Sequence, residues 1–375
     1  MKSLIKFFFV ATVVLTGCNT KEIKNETEIL EQKLKQVDPK QEFVKLNEFL
    51  QKFEQPAQTF KSPTNRLIKA KGKQGTIISI NPADLETENG QPVGKEVEIT
   101  LKELSNRQQL LRANAQTVSD GQLLISGGAC HISVTSDGQK VKLKEGKTYA
   151  VEFPKLSDDE MSLYYGQQDS SGKMNWKQAG KKFKNPKTNA DKKYEAIAVT
   201  GWRRKDTVKV EMKNYAREKY EKIQQDDAIN DIGANDRIRR DSKINEKIYS
   251  PVALSQFGWI NCDRLFKQDA PRTTIQFTIS NKIEDVNYAS VSLVFKEFKS
   301  LMQSSYYVYD NKMEGNTFDN VPVGMNVRIL AVSYQHEKIF AVLTDARQVM
   351  ENHNEKLSLS EMSETDFDKL MKSVE

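Results

Sequence analysis

Two stretches of the chain contain short runs in which hydrophobic and polar residues alternate. In the first stretch, the runs lie at residues 75–80, 96–101, 131–135, 141–143 and 149–153. In the second stretch, they lie at residues 273–279, 289–295, 306–309, 326–332 and 338–343. Alternation with a period of two is typical of strands that bury one face. We therefore predict strands at these positions.

Turn signals separate the strands of the first stretch. Asn89-Gly90, Asp120-Gly121 and Asp137-Gly138 are pairs that tight hairpins favour, because such turns need positive φ angles. Several short strands with turns between them favour a β-sandwich. We expect a mainly β protein with two β-sandwich-like domains, an N-terminal helical tether, and a charged, partly helical excursion between the domains.

The pattern also predicts the boundaries of these parts. The predicted segments are residues 1–17 (a signal peptide, argued below), 18–60 (a polar, helical tether), 61–180 (the first sandwich with a hairpin), 181–250 (the excursion), 251–350 (the second sandwich) and 351–375 (an amphipathic helix). Within the tether, Phe43, Leu46 and Phe49 recur at helical spacing. Such a stripe either docks on a partner or belongs to a solvated spacer, and we favour the spacer.

The N-terminal segment has the order of a signal peptide. Lys2 and Lys6 precede an apolar run over residues 7–15, which is too short to remain as a membrane-spanning helix. The ending Leu15-Thr16-Gly17-Cys18 resembles the lipobox of bacterial lipoproteins. The resemblance implies that residues 1–17 are removed and that Cys18 carries diacylglycerol and palmitate, so that membrane lipid is a partner. The alternative is a secreted protein in which Cys18 is incidental.

The basic surplus of the chain lies in one segment. The net charge is +6, and residues 181–250 hold 19 Lys and Arg against 12 Asp and Glu. A local surplus does not indicate a nucleic-acid-binding domain, so we expect no nucleic-acid partner. Trp202, Arg203 and Arg204 form a candidate interaction surface in this segment. The interspersed acids favour a solvated, partly mobile loop instead.

Several motifs resemble known β-sandwich domains. The segments at 75–76, 82–83, 98–101 and 123–128 resemble the sandwich shared by zonula-occludens proteins, ankyrins and netrin receptors, a version of which occurs in lipoproteins of Bacteroidota. The segment Gly258-Trp-Ile-Asn-Cys-Asp263 resembles one that follows this sandwich in those lipoproteins. Residues 318–324 are similar to a turn of prealbumin-like or carboxypeptidase-regulatory sandwiches. These resemblances imply an interaction or structural module with no catalytic residues to carry over.

The residues that carry most enzyme chemistry are sparse. The chain has three histidines, and it contains no nucleophile elbow, phosphate-binding loop or His-Glu-x-x-His motif. In the strand at 131–135, alternation places Cys130 towards the core and His131 on the opposite face. We therefore predict no catalytic residues, no metal and no cofactor.

Two cysteines remain once Cys18 carries lipid. Cys130 and Cys262 form a candidate disulfide, because an export signal indicates an oxidising compartment. The bridge requires that the two Cα atoms approach within disulfide range. The alternative is a pair of free core cysteines that belong to separate units.

We expect a membrane-anchored lipoprotein that acts as a non-enzymatic binding or scaffolding module at the cell envelope, at the outer membrane. Its partner would be an envelope protein or a glycan. Two alternatives remain: a surface glycan-binding protein, and an exported enzyme or accessory subunit with a carboxylate-based site.

Overall fold

Strands dominate the computed structural model of the protein. It describes residues 38–169, 173–185, 248–267, 269–280, 286–309, 312–314 and 316–375. These residues form four sheets and three α-helices, and the predicted mainly β, sandwich-type class is confirmed. Within these ranges, no helix is both long and apolar enough to cross a membrane.

Sheet I has nine strands and forms one half of the first sandwich. Its main path runs in the order β1 (Gln58–Pro63), β5 (Glu96–Leu104), β7 (Gln122–Ser136), β13 (Gly258–Leu265), β10 (Ser162–Gln168) and β11 (Met174–Lys182). The strands β4 (Leu85–Thr87), β6 (Val118–Ser119) and β8 (Gln139–Leu143) branch from this path.

Sheet II completes the first sandwich with four strands. They run in the order β12 (Val252–Leu254), β9 (Tyr149–Glu152), β3 (Ile77–Ile80) and β2 (Ile68–Lys71). A short 3-10 helix (Pro82–Asp84) lies between β3 and β4. Alternate residues of both sheets, such as Ile78 and Ile99, are fully buried in a shared core. Sheet-on-sheet burial of this kind is the expected use of strict alternation.

The second sandwich pairs a seven-stranded sheet with a three-stranded one. Sheet IV runs in the order β17 (Lys312–Glu314), β16 (Leu301–Tyr309), β15 (Tyr288–Phe295), β19 (Asn326–Gln335), β20 (Lys338–Leu343) and β23 (Ser360–Met362), with β21 (Arg347–Gln348) on β19. Sheet III contains β18 (Thr317–Pro322), β14 (Arg272–Ile279) and β22 (Asn354–Leu357), and β14 and β22 are parallel. Phe277 and Val291 lie in the core that the two sheets share.

A third apolar core joins the two sandwiches. It contains Trp176 from sheet I and Leu330 from sheet IV, together with residues of all three helices. The helices are α1 (Pro39–Gln51), α2 (Arg107–Arg112) and α3 (Glu364–Lys372). Because sheets I and IV each bury both faces, the two sandwiches pack as neighbours through a continuous core.

The predicted second sandwich began at residue 251, but the strand pairing places the next two strands in the first sandwich. Both β12 and β13 follow that residue, yet β12 pairs with β9 in sheet II and β13 pairs with β7 and β10 in sheet I. The chain therefore returns to the first sandwich before it begins the second. Alternation reports which face of a strand is buried, and it carries no information about which strand lies beside it.

The solvated spacer favoured for the tether is wrong over helix α1. Leu46, Phe49 and Leu50 of this helix are buried in the third core. The apolar stripe packs on the chain's own second sandwich, against β15 and β19. The predicted C-terminal helix is shorter than expected, because residues 354–357 and 360–362 are strands and α3 begins at Glu364. Phe367 and Met371 of α3 are buried, and Leu370 is half-buried.

Candidate binding groove

An open groove of about 680 Å³ lies between helix α1 and the hairpin that joins β19 to β20. We call it the α1 groove. Its lining residues are Glu42, Lys45, Asn287, Tyr334, Gln335, His336 and Glu337. The groove is formed by two elements of different origin, because α1 belongs to the predicted tether and the hairpin belongs to the second sandwich.

The hairpin turn in the α1 groove has an unusual backbone for its sequence. Gln335 pairs with Lys338, so His336 and Glu337 form a two-residue loop. Their φ angles are +50° and +61°, in the left-handed region that such loops require. Asn and Gly adopt this region readily, whereas other residues pay about 1 kcal/mol or more there. Both residues of this turn therefore carry left-handed backbone at the rim of the α1 groove.

The floor of the α1 groove is fixed by packing and by hydrogen bonds. Tyr334 stacks on Phe49 of α1, with ring centroids 4.4 Å apart and planes 10° apart. The backbone N–H of Asn287 donates to Oε1 of Gln335 at 3.0 Å, and Nε2 of Gln335 donates to Oδ1 of Asn287. These contacts hold the groove open without any ligand, which reduces the entropy that binding would cost.

The α1 groove presents both signs of charge. Lys45 Nζ lies 2.6 Å from Oε1 of Glu42, and the side chain of Glu42 is 16% exposed. Burial and the Glu42 carboxylate raise the pKa of Tyr288, which is buried in the third core. With exposed His336 and Glu337 on the opposite wall, the groove offers donors and acceptors suited to a polar ligand.

A second groove of about 660 Å³ lies where the edges of sheets I and II meet, lined by Lys181, Lys182, Lys184 and residues 250–253. Two of its three lysines are engaged by neighbouring residues, and it is lined by charges of one sign only. Lys181 donates to the carbonyl oxygen of Ala253 at 2.7 Å, and Lys182 pairs with Glu160 at 2.7 Å. We therefore regard the α1 groove as the stronger candidate.

Two of the motif segments, residues 123–128 and 258–263, lie side by side in the structure. Ser126 on β7 lies opposite Asp263 on β13, and Gly127 N–H donates to Oδ1 of Asp263 at 3.3 Å. A Cβ at Gly127 would lie 2.6 Å from the carbonyl oxygen of Cys262, so only glycine fits. Residues 123–128 and 258–263 therefore lie on adjacent central strands of sheet I, where Asn261, Cys262 and Asp263 are fully buried.

The two cysteines lie on neighbouring strands and are free thiols in the structure, so the candidate disulfide is not formed. Cys130 is opposite Ile260, two residues before Cys262, and both cysteines are buried in the first sandwich. They are diagonal neighbours, and diagonal Cα atoms are usually about 7–8 Å apart in an antiparallel pair, beyond ordinary disulfide reach. The expectation that they belong to separate units is wrong, because β13 joins sheet I.

The other predicted positions fall in three groups. Cys18, Trp202, Arg203 and Arg204 lie outside the described residues, as do residues 186–247 of the excursion. Cys130 is 1% exposed, which confirms its predicted core position. His131 lies on the opposite face with its ring edge-to-face against Trp259, and burial and Lys102 lower its pKa.

Buried carboxylates occur at three separate places among the described residues. Glu103 accepts hydrogen bonds from the backbone of Gln74 and Thr76, Glu355 pairs with Arg347 and His353, and Asp263 lies in sheet I. They do not converge on one cleft. No group of three or more His, Cys, Asp or Glu residues suited to a metal ion occurs in the described part of the chain.

Sequence reasoning missed the α1 groove. The β19–β20 turn has the sequence His-Glu, whereas the pair typical of such a hairpin is Asn-Gly. In addition, a solvated spacer would not pack α1 against any other element. The short gap at residues 333–337, between the predicted strands 326–332 and 338–343, was the one available signal. A scan against protein-family models and a search of curated proteins find no match to this chain.

Proposed function

We propose that the protein is a lipid-anchored, non-enzymatic binding protein of the cell envelope, and that it binds an envelope protein or glycan in the α1 groove. The observation that carries the proposal is the pair of left-handed residues, His336 and Glu337, at the rim of a preformed polar groove. Strain is retained where side chains are needed at a given place, although Asn-Gly would form the same turn at lower cost.

The position of the α1 groove along the chain supports this proposal. Cys18, the proposed lipid site, is separated from Asp38 at the start of α1 by residues 19–37. Glu42 and Lys45 lie in the first two turns of α1, so the groove is built where the tether enters the folded body. A ligand held there would be kept close to the membrane that carries the anchor. The Bacteroidota lipoproteins with a zonula-occludens-type sandwich remain the proposed family.

The test compares a groove variant with a matched turn variant. The double substitution His336→Asn and Glu337→Gly keeps the hairpin but removes both side chains from the rim. Asp137→Asn makes a similar exchange in the β7–β8 turn, in the first sandwich. Each is made in the soluble Cys18→Ala protein, immobilised, and exposed separately to detergent-solubilised envelope proteins and to purified envelope polysaccharide.

We expect the parent protein and the Asp137→Asn variant to retain the same component, and the groove variant to retain at least about tenfold less, as loss of about 1.4 kcal/mol would give. The arm in which retention occurs distinguishes a protein ligand from a glycan. Equal retention by the groove variant would exclude the α1 groove as the site. Retention of nothing by the parent protein in either arm would contradict the binding function.

A further inference from the structure

Asp263 is a fully buried carboxyl group in the middle of sheet I. Gly127 N–H donates to its Oδ1 at 3.3 Å, and Asn261 Nδ2 lies 2.6 Å from its Oδ2. The Ser126 hydroxyl also bonds to it. These partners come from β7 and from β13 itself, so the carboxyl group ties two central strands together.

Among the residues that the structure describes, no cation compensates this carboxyl group. The neighbouring Arg264 directs its Nε to Asp159 at 2.8 Å, and Lys299 presents its backbone carbonyl, which accepts from Ser126 N–H at 3.2 Å. The other titratable groups nearby are the Tyr164 phenol and the Cys262 thiol, neither of which is positive. No ion pair within the described ranges includes Asp263. A charge buried without a partner costs several kcal/mol, so burial favours the neutral acid.

The same cluster contains an acceptor without a donor. Asn261 is fully buried, and its Oδ1 has no hydrogen-bond partner. Buried polar atoms are almost always satisfied, and an ionised carboxylate can only accept. Asn261 Nδ2 already donates to the carboxyl group, so the unpaired Oδ1 does not decide the protonation state of Asp263. The hydrogen bonds that the carboxyl group accepts favour the ionised form, but its complete burial without a cation among the described residues favours the neutral acid by a larger amount.

This cluster borders the junction between the sandwiches. The Ser126–Lys299 hydrogen bond crosses from β7 to the turn before β16, and Ser300 Oγ donates to the carbonyl oxygen of Leu124. We infer that Asp263 is a neutral carboxylic acid in the folded protein, and that its ionisation weakens the pairing of β7 with β13 beside the junction. The contact between the two sandwiches at Ser126 and Lys299 would thus depend on the protonation of Asp263. This effect is independent of the α1 groove.

The direction of the pH effect follows from the pKa of Asp263 in the folded and the unfolded chain. Burial raises the pKa of Asp263 from 3.8 to about 8, outweighing the hydrogen bonds that lower it. Between these values the unfolded chain has released the proton and the folded chain still holds it. Stability therefore falls as the pH rises through this window, by up to about tenfold in the folding equilibrium constant per pH unit, and the loss levels off above the folded pKa.

Asp263→Asn tests the effect of Asp263 ionisation on stability, because the amide resembles the neutral acid and cannot ionise. Urea unfolding of both proteins is measured at several pH values from about 5 to 9. We expect the folding equilibrium constant of the parent to fall relative to that of the variant by several-fold per pH unit up to about pH 8. The control Asp159→Asn, at a half-exposed carboxylate, should follow the parent. Parallel curves for the parent and Asp263→Asn would overturn the inference.

A second measurement does not depend on the variant folding. Carbon-13 NMR of the Asp263 carboxyl group in the parent protein should show a titration with a midpoint near pH 8. Hydrogen exchange should show faster opening of β13 and residues 299–301 above that midpoint, after correction for intrinsic exchange rates. An Asp263 resonance that is already ionised at pH 6 would exclude a neutral acid.

Discussion

Gln116 accepts a hydrogen bond at its Oε1 from the backbone N–H of Gln303, at 3.0 Å, across the junction between the two sandwiches. Its Nε2 donates to the carbonyl oxygen of Met174, and its own carbonyl oxygen accepts from Nε1 of Trp176, both at 2.6 Å. The side chain and the backbone carbonyl of Gln116 therefore connect β11, β16 and the segment before β6. The neighbouring Thr117 adds hydrogen bonds to Leu301.

Gln116→Ala should destabilise the protein by about 2–4 kcal/mol, because it leaves a buried N–H and a buried carbonyl unpaired. Urea denaturation at neutral pH measures the change. Gln178→Ala, at an exposed position of β11, serves as the control and should change the stability by less than about 0.5 kcal/mol. A small effect of Gln116→Ala would mean that the junction carries little of the stability.

Phe49→Ala should cost about 3–5 kcal/mol, because this ring is buried between Tyr334 and Phe367. The control Val44→Ala lies on the same helix with 52% of its surface exposed and should be nearly neutral. Thermal unfolding of both variants gives the comparison. Equal melting temperatures for the parent and Phe49→Ala would restore the interpretation of α1 as a solvated spacer.

Replacement of His336-Glu337 by Asn-Gly should raise the stability by about 1 kcal/mol, since the new residues adopt left-handed backbone at lower cost. The measurement is the urea midpoint at an unchanged slope. A stabilised variant that has also lost its ligand would show that the original residues are kept for binding. A destabilised variant would indicate that these side chains support the fold.

Cys130 and Cys262 should be inert in the native protein. Burial raises the pKa of both thiols, and the Glu103 carboxylate adds to the rise at Cys130, so little reactive thiolate forms. Iodoacetamide without reductant should leave the native soluble Cys18→Ala protein unmodified. The same reagent in denaturant should add two carbamidomethyl groups by mass spectrometry. No addition in denaturant would instead reveal a disulfide.

Cys18→Ala should release the protein from the membrane fraction or block its processing, because the anchor depends on acylation of that residue. Fractionation followed by immunoblotting, with the mobility of the mature chain as a second readout, checks this prediction. Cys130→Ser in an otherwise unchanged chain controls for loss of any cysteine. Retention of Cys18→Ala with unaltered mobility would argue against the lipoprotein proposal.

Local patterns predicted the local structure well. The alternating residues 96–101 lie in β5, and Asp137 and Gly138 both have the positive φ angles expected of their turn. Such features depend on neighbours in sequence. The α1 groove, the junction at Gln116 and the position of β13 depend on contacts between residues that are far apart in the chain. No periodicity encodes these contacts, so they required the three-dimensional structure.

The position of β13 sets an order of events during folding. This strand lies between β7 and β10, although residues 186–247 lie between it and β11, the preceding strand of sheet I. Sheet I therefore cannot close until residue 265 has been delivered. A chain synthesised from its N-terminus would leave sheet I incomplete, with the edges of β7 and β10 that β13 covers still unpaired, until most of its residues have been made. These open strand edges would expose the nascent chain to wrong pairing and aggregation until β13 arrives.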